Sequence, residues 1–347
     1  MASSKQDLQK LVVRPVLEQV SLSAYTTLGV GGPADFLVEV SSKQEAVSIL
    51  EFANQCQIPT TFLGGGSNVV ISDKGIRGVV IRNLIQDFEL IADKALKTTD
   101  KKVKPRLAQL NKKEFYSNEL APSFDDSTEQ VVVSAGSGLK LAVLIQKCLN
   151  QGITGPEWFS GIPGSVGGGV YMNMHGGNYF FSDFVVKAET VDSSGQIKNY
   201  EAAELAFSYD NSRFHAQKEF ITTVWFQFYK GDLEKARNIV SAWGGQKIAH
   251  QPQRSCGCVF QNINQEDQER LGLPTPSIGY IIDHVLELKG KQVGGARISP
   301  QHGAFIENTG KATAADVLTL IEEIETKARE KLDISLIKEI ELLGDFN

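Results

Sequence analysis

Two glycine-rich stretches, LGGGSN at residues 63–68 and GPEWFSGIPGSVGGGVYMNMHGG at residues 155–177, constrain this chain more than any other feature. Glycine tolerates positive φ and has no Cβ, so such runs mark places where backbone turns sharply or lies close against something else. Their exposed N–H groups can also form a nest around phosphate oxygens. Neither stretch is a G-x-G-x-x-G opening a helix after a strand, and neither ends in the GK[ST] of a phosphate loop, which argues against both of those nucleotide-binding folds. One cluster alone would be read as tight turns. Two in one chain, each running into a small polar residue or an apolar strand, favour a bound cofactor that carries a diphosphate.

The 347 residues exceed the usual single-domain size, and 41% are hydrophobic, so two or three domains with a large core are expected. Lys and Arg number 35 against 41 Asp and Glu, a net charge of -6, which offers no basic surface to nucleic acid. A single anionic small molecule is still compatible, since local arginines and helix N-termini can hold one. No run reaches the roughly 20 apolar residues that span a bilayer, and MASSKQDLQKLVVRP lacks the apolar centre of a signal peptide. The expectation is a cytoplasmic monomer with no membrane or nucleic-acid partner.

ADFLVEV (34–40) reads as a strand and the segment after it as a helix, with Ser42 and Glu45 as a capping box and Val47, Leu50 and Ala53 on one face. TTFL leads into the first glycine cluster, and residues 69–83 continue as strand, turn, strand. Residues 93–129, lysine-rich and then acidic, show no helical or strand period. They are expected to be a surface insertion in a β-hairpin whose arms are DFELIA and QVVVSAGSG. A helix closed by Gly152 precedes the second glycine cluster, and strands follow through 185–202 and 220–230. Past a boundary near 231 come a helix over 232–250, the stretch RSCGCVFQN, a helix capped by Ser277 and the strand AFIEN. Thr313 and Asp316 open a last helix with the apolar stripe Val317, Leu320, Ile321, Ile324 and Ala328, and ISLIKEIELLG closes the chain as a strand.

Four cysteines at 56, 148, 256 and 258 form no framework of paired spacings, and Cys56 and Cys148 sit in helical patterns as small buried hydrophobes. Cys256 and Cys258 could be metal ligands, a redox pair or something else. Tetrahedral metal sites usually want C-x2-C and further Cys or His nearby, and only His250 is close, so no metal is expected.

TTLGVGGPADFLVEV, LGGGSNVVISDKGIRGVVIRN and GIPGSVGGGVYMNMHGG, followed by YDNSRF, SCGCVFQN, GGARISPQHGAFIEN and KEIELLG, resemble in order and spacing the UDP-N-acetylenolpyruvoylglucosamine reductases, the MurB family. The likeness covers residues 20–345 apart from the insertion. It implies an α+β, vanillyl-alcohol-oxidase-like (PCMH-type) FAD-binding fold of two subdomains, 1–72 and 73–231, with a MurB-type substrate domain at 232–347. The uninterrupted run from YDNSRF to the cysteines is similar to the subclass without an extra tyrosine-bearing loop. The resemblance sets the diphosphate of FAD against Gly64, Gly65, Gly66, Ser67 and Asn68, and the flavin against Ile162, Pro163, Gly164, Ser165 and Gly168. It also implies NADPH as hydride donor and reduction of UDP-N-acetylglucosamine enolpyruvate to UDP-N-acetylmuramate for peptidoglycan.

In that reaction a hydride reaches the enolpyruvyl β-carbon and a proton must reach the α-carbon. The family supplies the proton from a serine, or in some members a cysteine, which here falls on Cys258. A thiol, with an ordinary pKa of about 8.5, is mostly protonated near neutrality yet far more acidic than an alcohol. Cys256 then has a packing role. Glu339 aligns with a glutamate that stabilises the enol intermediate, and Lys247, Gln251, Arg254 and Asn262 fall where substrate contacts are implied. Tyr209 aligns with a tyrosine that precedes a carboxylate-binding arginine, but Asp210 stands in the arginine's place. An aspartate repels a carboxylate, so Arg213 or Arg254 is expected to replace it. Gln261 and Ile263 depart from a basic residue and a proline. His175 and His302 fall near the site by position and are expected as structural or hydrogen-bonding neighbours. Two other readings stay open: a flavin oxidase or dehydrogenase of the same fold acting on another substrate, and a catalytically impaired flavin-binding protein.

Overall fold

The computed structural model describes residues 5–91, 120–177 and 179–346, so the expected insertion lies outside the described residues as far as residue 119. The chain forms two compact units. The first takes Met1–Val16, Val38–Gly65 and Ile81–Lys247, and the second takes Leu17–Leu37, Gly66–Val80 and Ile248–Asn347. Neither is a single run of sequence.

A five-stranded antiparallel sheet organises the first unit, in the order Ile197–Glu201, Val185–Val191, Phe220–Tyr229, Gln130–Gly136, Phe88–Ile91. The arms on either side of the insertion pair as expected, with Phe88 opposite Ala135 and Ile91 opposite Val132. Alternation along the central strands turns Val133 and Ala135, and Val224, Phe226 and Phe228, into one core. Helix Leu141–Asn150 adds Leu141, Leu144 and Cys148 to it, and Phe159, Phe181 and Phe184 complete it with edge-to-face ring contacts at 5.0–5.9 Å. Each fully buried Leu or Phe contributes about 1.5–3 kcal/mol relative to exposure, so this core outweighs any single polar term in the unit.

Local chemistry sets the helix ends. Gly152, at φ 76, lets its own N–H reach Leu149 O and that of Ile153 reach Cys148 O, which satisfies the last carbonyls of helix Leu141–Asn150. Helix Lys43–Gln55 opens on the expected Ser42–Glu45 capping box. The Glu45 carboxyl, though buried, is held below its usual range, because bonds from the Val13, Ser41 and Ser42 amides outweigh the cost of burial. The expectation for Cys56 is corrected. The helix ends at Gln55, its buried face being Ala46, Ile49, Leu50 and Ala53, and Cys56 follows as an exposed cap residue.

The second unit holds a four-stranded antiparallel sheet ordered Ser255–Cys258, Phe305–Asn308, Ala296–Ile298, Gln292–Val293. Helix Ala314–Leu332 packs on it through Val317, Leu320, Ile321, Ile324 and Ala328, all at most 1% exposed, and opens on the Thr313–Asp316 capping box. Ser277 Oγ accepts from Tyr280 N and caps the helical turn that continues through Val285. The closing strand is shorter than its sequence suggests, Glu341–Leu343, and pairs in parallel with Val69–Ile71. Val69–Ile71 thus takes a partner about 270 residues away rather than the strand that follows it.

Candidate active site

In the first unit the two glycine clusters meet. A Cβ on Gly65 would sit 2.8 Å from Gly164 Cα, and one on Gly64 would sit 2.8 Å from Ser165 Oγ. The second cluster is pinned from below by Leu141 N to Gly164 O, Val166 N to Leu139 O and Gly167 N to Ser137 O. Ser165 Oγ caps the short helix Val166–Tyr171 through Gly168 N. Gly65, Pro163 and Gly168 are exposed, with Ile162 half-buried, and among the described residues the Gly65 N–H has no acceptor. Beside them Ser160 Oγ is buried without a hydrogen-bond partner, a group that sequence reasoning did not single out. Gly161 packs on the Lys247 stem, its Cβ position being 3.2 Å from Lys247 Cβ. Paired glycine backbone, the free Gly65 amide and an orphaned hydroxyl fit a cofactor that offers phosphate and ring acceptors, as FAD does.

The same unit gathers Tyr209, Asp210 and His175. Ser208 and Asn211 bridge to each other, so Tyr209 and Asp210 form the tip of a tight turn, with Asp210 in the left-handed region at φ 48. Asp210 is 5% exposed, and its Oδ1 lies 3.3 Å from His175 Nδ1. The His175 ring stacks on Tyr209 at 5.5 Å and 25°. Arg213 is engaged elsewhere: its guanidinium lies 3.6 Å over the Tyr200 ring, and it donates to Glu204 O and Gln217 Oε1.

In the second unit the cysteine strand carries a bulge. Ser255 lies opposite Glu307 and Cys258 opposite Phe305, so one extra residue is accommodated, and Gly257 at φ 86 provides the conformation. Regular pleating would put Cys256 and Cys258 on one face; the bulge separates them. Cys256 is fully buried, and burial, with the Glu339 charge adding to it, pushes its thiol up to about 12. Cys258 is half-buried. Glu339 N donates to Val259 O at 2.9 Å, and Asn68 binds on both sides of that contact, Nδ2 to Glu339 O and O from Glu341 N, each at 2.9 Å. Three separated segments therefore bring Cys258, Glu339 and Asn68 together. Thr27 links the Cys loop to Gly66, the last glycine of the first cluster, through Oγ1 to Ser255 O at 2.6 Å and N to Gly66 O at 3.0 Å.

Around this core, Arg254 is exposed with its guanidinium beside Gly29, and its carbonyl accepts from Asn308 N. Gln251 is half-buried in the turn before it. Asn262 spends its side-chain oxygen on Ile278 N at 3.0 Å. His302 Nδ1 accepts from Ala304 N, and burial, with Lys289 and His250 adding to it, holds its imidazole below the usual range. Among the described residues no group of three or more His, Cys, Asp or Glu could hold a metal ion, and no helix is long and apolar enough to cross a membrane.

An α+β unit whose two glycine segments close into an open backbone cradle defines a flavin-binding protein, and the FAD binding domain family matches residues 120–201. Residues 249–343 match the C-terminal domain of UDP-N-acetylenolpyruvoylglucosamine reductase. Proteins of that name from Chlamydia felis and Carboxydothermus hydrogenoformans are similar along almost the whole chain, at 33% identity over 93% of each sequence and 30% over 99% of each. The crystal structure of the enzyme from Thermus caldophilus is similar with a TM-score of 0.67 and 28% identity, over 94% of this chain and 98% of that one. The chain belongs to the UDP-N-acetylenolpyruvoylglucosamine reductase family. Its fold class is the one expected, an FAD-binding α+β fold that carries the C-terminal domain of these reductases.

Proposed function

We propose that the protein reduces UDP-N-acetylglucosamine enolpyruvate to UDP-N-acetylmuramate with NADPH, as a cytoplasmic monomer that serves peptidoglycan precursor synthesis. Residues 1–72 and 73–231 act as the two FAD-binding subdomains and 232–347 as the substrate domain. Gly64, Gly65, Gly66, Ser67 and Asn68 hold the diphosphate of FAD, and Ile162, Pro163, Gly164, Ser165 and Gly168 hold the flavin. FAD, when bound, supplies the two-electron chemistry that links NADPH to the substrate's double bond.

The chain's own residues supply the rest. Cys258 gives its thiol proton to the α-carbon, a task suited to a half-buried thiol and closed to the deeply buried Cys256. Glu339 stabilises the enol character at that carbon. Lys247, Gln251, Arg254 and Asn262 orient the sugar nucleotide, and Tyr209 lines the enolpyruvyl end. An oxidase acting on another substrate would need no carbon-protonating thiol. The observation that carries the reading is the backbone ladder from Val259 to Glu339, locked by Asn68, which supports a site built from Cys258 and Glu339.

Anaerobic stopped-flow absorbance near 450 nm tests it. Holoenzyme reduced with NADPH should reoxidise rapidly on mixing with UDP-N-acetylglucosamine enolpyruvate, and Cys258→Ala should lose roughly 100-fold or more in product formation, the lower end of what a positioned acid contributes. Reduction by NADPH without reoxidation by this substrate would sink the proposal and favour another acceptor or an impaired flavoprotein.

A further inference from the structure

In the second unit one side chain takes the place of its own backbone amide. We propose that Asn68 is a positioning residue for the reduction: its carboxamide, standing in for its N–H in a parallel ladder, holds Glu339 against the Cys258 bulge. The inference rests on the reductase reading above. Strand Val69–Ile71 pairs with Glu341–Leu343 in the register that sets Val69 opposite Glu341. Carried back one residue, that register sets Asn68 opposite Ile340. A parallel ladder then asks Asn68 N to donate to Glu339 O, and Asn68 O to accept from Glu341 N. The second bond is present at 2.9 Å, whereas the first is made by Asn68 Nδ2, also at 2.9 Å. Among the described residues the Asn68 N–H has no acceptor.

That exchange falls where the terminal segment meets the cysteine loop. On its other edge Glu339 N donates to Val259 O and Gln261 N to Ile337 O, both at 2.9 Å, and Lys338 bridges to Phe260. Lys338 turns toward helix Ala314–Leu332 to pair with Glu325, and Ile340, 4% exposed, turns into the core. Alternation along extended chain therefore sends the Glu339 side chain to the opposite face. Its charge is felt at the cysteine loop, where it adds to burial in raising the Cys256 thiol. The far end of the Asn68 side chain faces the same loop: Oδ1 lies 3.8 Å from the Cβ position of Gly257, the residue at φ 86 between the two cysteines. One planar carboxamide thus spans from the Glu339 backbone to the bulge that sets Cys258 apart from Cys256.

The arrangement divides the residue's duties. Had the backbone N–H made the ladder bond, it would be spent on Glu339 O. Because the carboxamide reaches that acceptor, the N–H stays at the end of the glycine cluster for the diphosphate proposed above, while the side chain serves the acid pair. Thr27, bonded to Gly66 O and Ser255 O, ties the same two segments on a second line, so replacing the Asn68 side chain removes one tie and leaves the loop anchored.

Separate stopped-flow measurement of the two half-reactions tests this, on holoenzyme carrying Asn68→Ala or Asn68→Leu, the latter close in shape but without the donor. Both variants should retain FAD on gel filtration, accept hydride from NADPH at the wild-type rate, and bind UDP-N-acetylglucosamine enolpyruvate in the oxidised state with the wild-type Kd by calorimetry. Reoxidation of their reduced flavin by that substrate should slow roughly 10- to 100-fold, as misplacing a reacting group by about 1 Å does. Deuterium exchange over residues 337–343, which needs no substrate, should quicken in both. Unchanged exchange, reoxidation at the wild-type rate in both variants, or loss of FAD with the two half-reactions slowed alike overturns the assignment while leaving the reductase reading intact. Wild-type holoenzyme whose reduced flavin the substrate does not reoxidise removes the reductase reading, and this inference with it.

Discussion

A single methyl group added at Gly65 would sit 2.8 Å from Gly164 Cα, a separation that real Cβ atoms do not adopt, so Gly65→Ala must push the two glycine segments apart. Its expected outcome is an unaltered far-UV circular dichroism spectrum with a several-fold loss of FAD retained on gel filtration. Full retention would place the cofactor elsewhere. Glu157 offers a second test. Burial raises its carboxyl above the usual range against the bonds from Ser123 and Gly155. The folded state then binds more protons than the unfolded one above pH about 4.3, so stability falls as pH rises through that window. Thermal scans of wild type from pH 5 to 8 should show this decline, and Glu157→Gln should flatten it. The sequence carried the glycine clusters and the two cysteines openly, because their chemistry is local. It carried no sign of the pairing of Asp210 with His175, since 35 residues separate them and the contact exists only once Asn173 has drawn in the turn.

Helix Ala314–Leu332 was legible almost residue for residue, because an amphipathic stripe and a capping box both act within a few residues of each other. Leu320→Ala should cost about 2–5 kcal/mol in chemical denaturation, the range for a cavity in a packed core, and Thr313→Ala about 1 kcal/mol for the lost cap. Equal losses for the two would contradict the burial pattern. Where partners are distant the local pattern says less. ISLIKEIELLG has strand character over eleven residues but only Glu341–Leu343 finds a ladder, and Val69–Ile71 pairs with it rather than with its sequence neighbour. The Gly257 bulge was equally hidden, since only the register against Phe305–Asn308 reveals the extra residue. Cys56 reads as buried only when the helical period is carried past Gln55, the last helical residue, onto the exposed cap.

At the scale of the molecule the fold class followed from ordered motifs spread over most of the chain, whereas the division of the chain between its units did not, because each unit draws on three separate runs of sequence. If the cradle holds FAD only in the folded state, FAD at 100 times its Kd should stabilise the protein by about 2.7 kcal/mol, and calorimetry of apoprotein with added FAD should show Tm rising with FAD concentration. A Tm independent of FAD would contradict a cofactor bound to the native state. The parallel pair of Val69–Ile71 with Glu341–Leu343 bears on synthesis in the cell. At roughly 5–20 residues per second, the ribosome needs on the order of 15 to 50 seconds to make the second strand after the first. Throughout that interval Val70 and Ile71, buried in the finished protein, stand as an unpaired apolar edge on a nascent chain. Yield in a slowly translating host should therefore depend most on chaperone supply, a demand imposed by one three-residue strand.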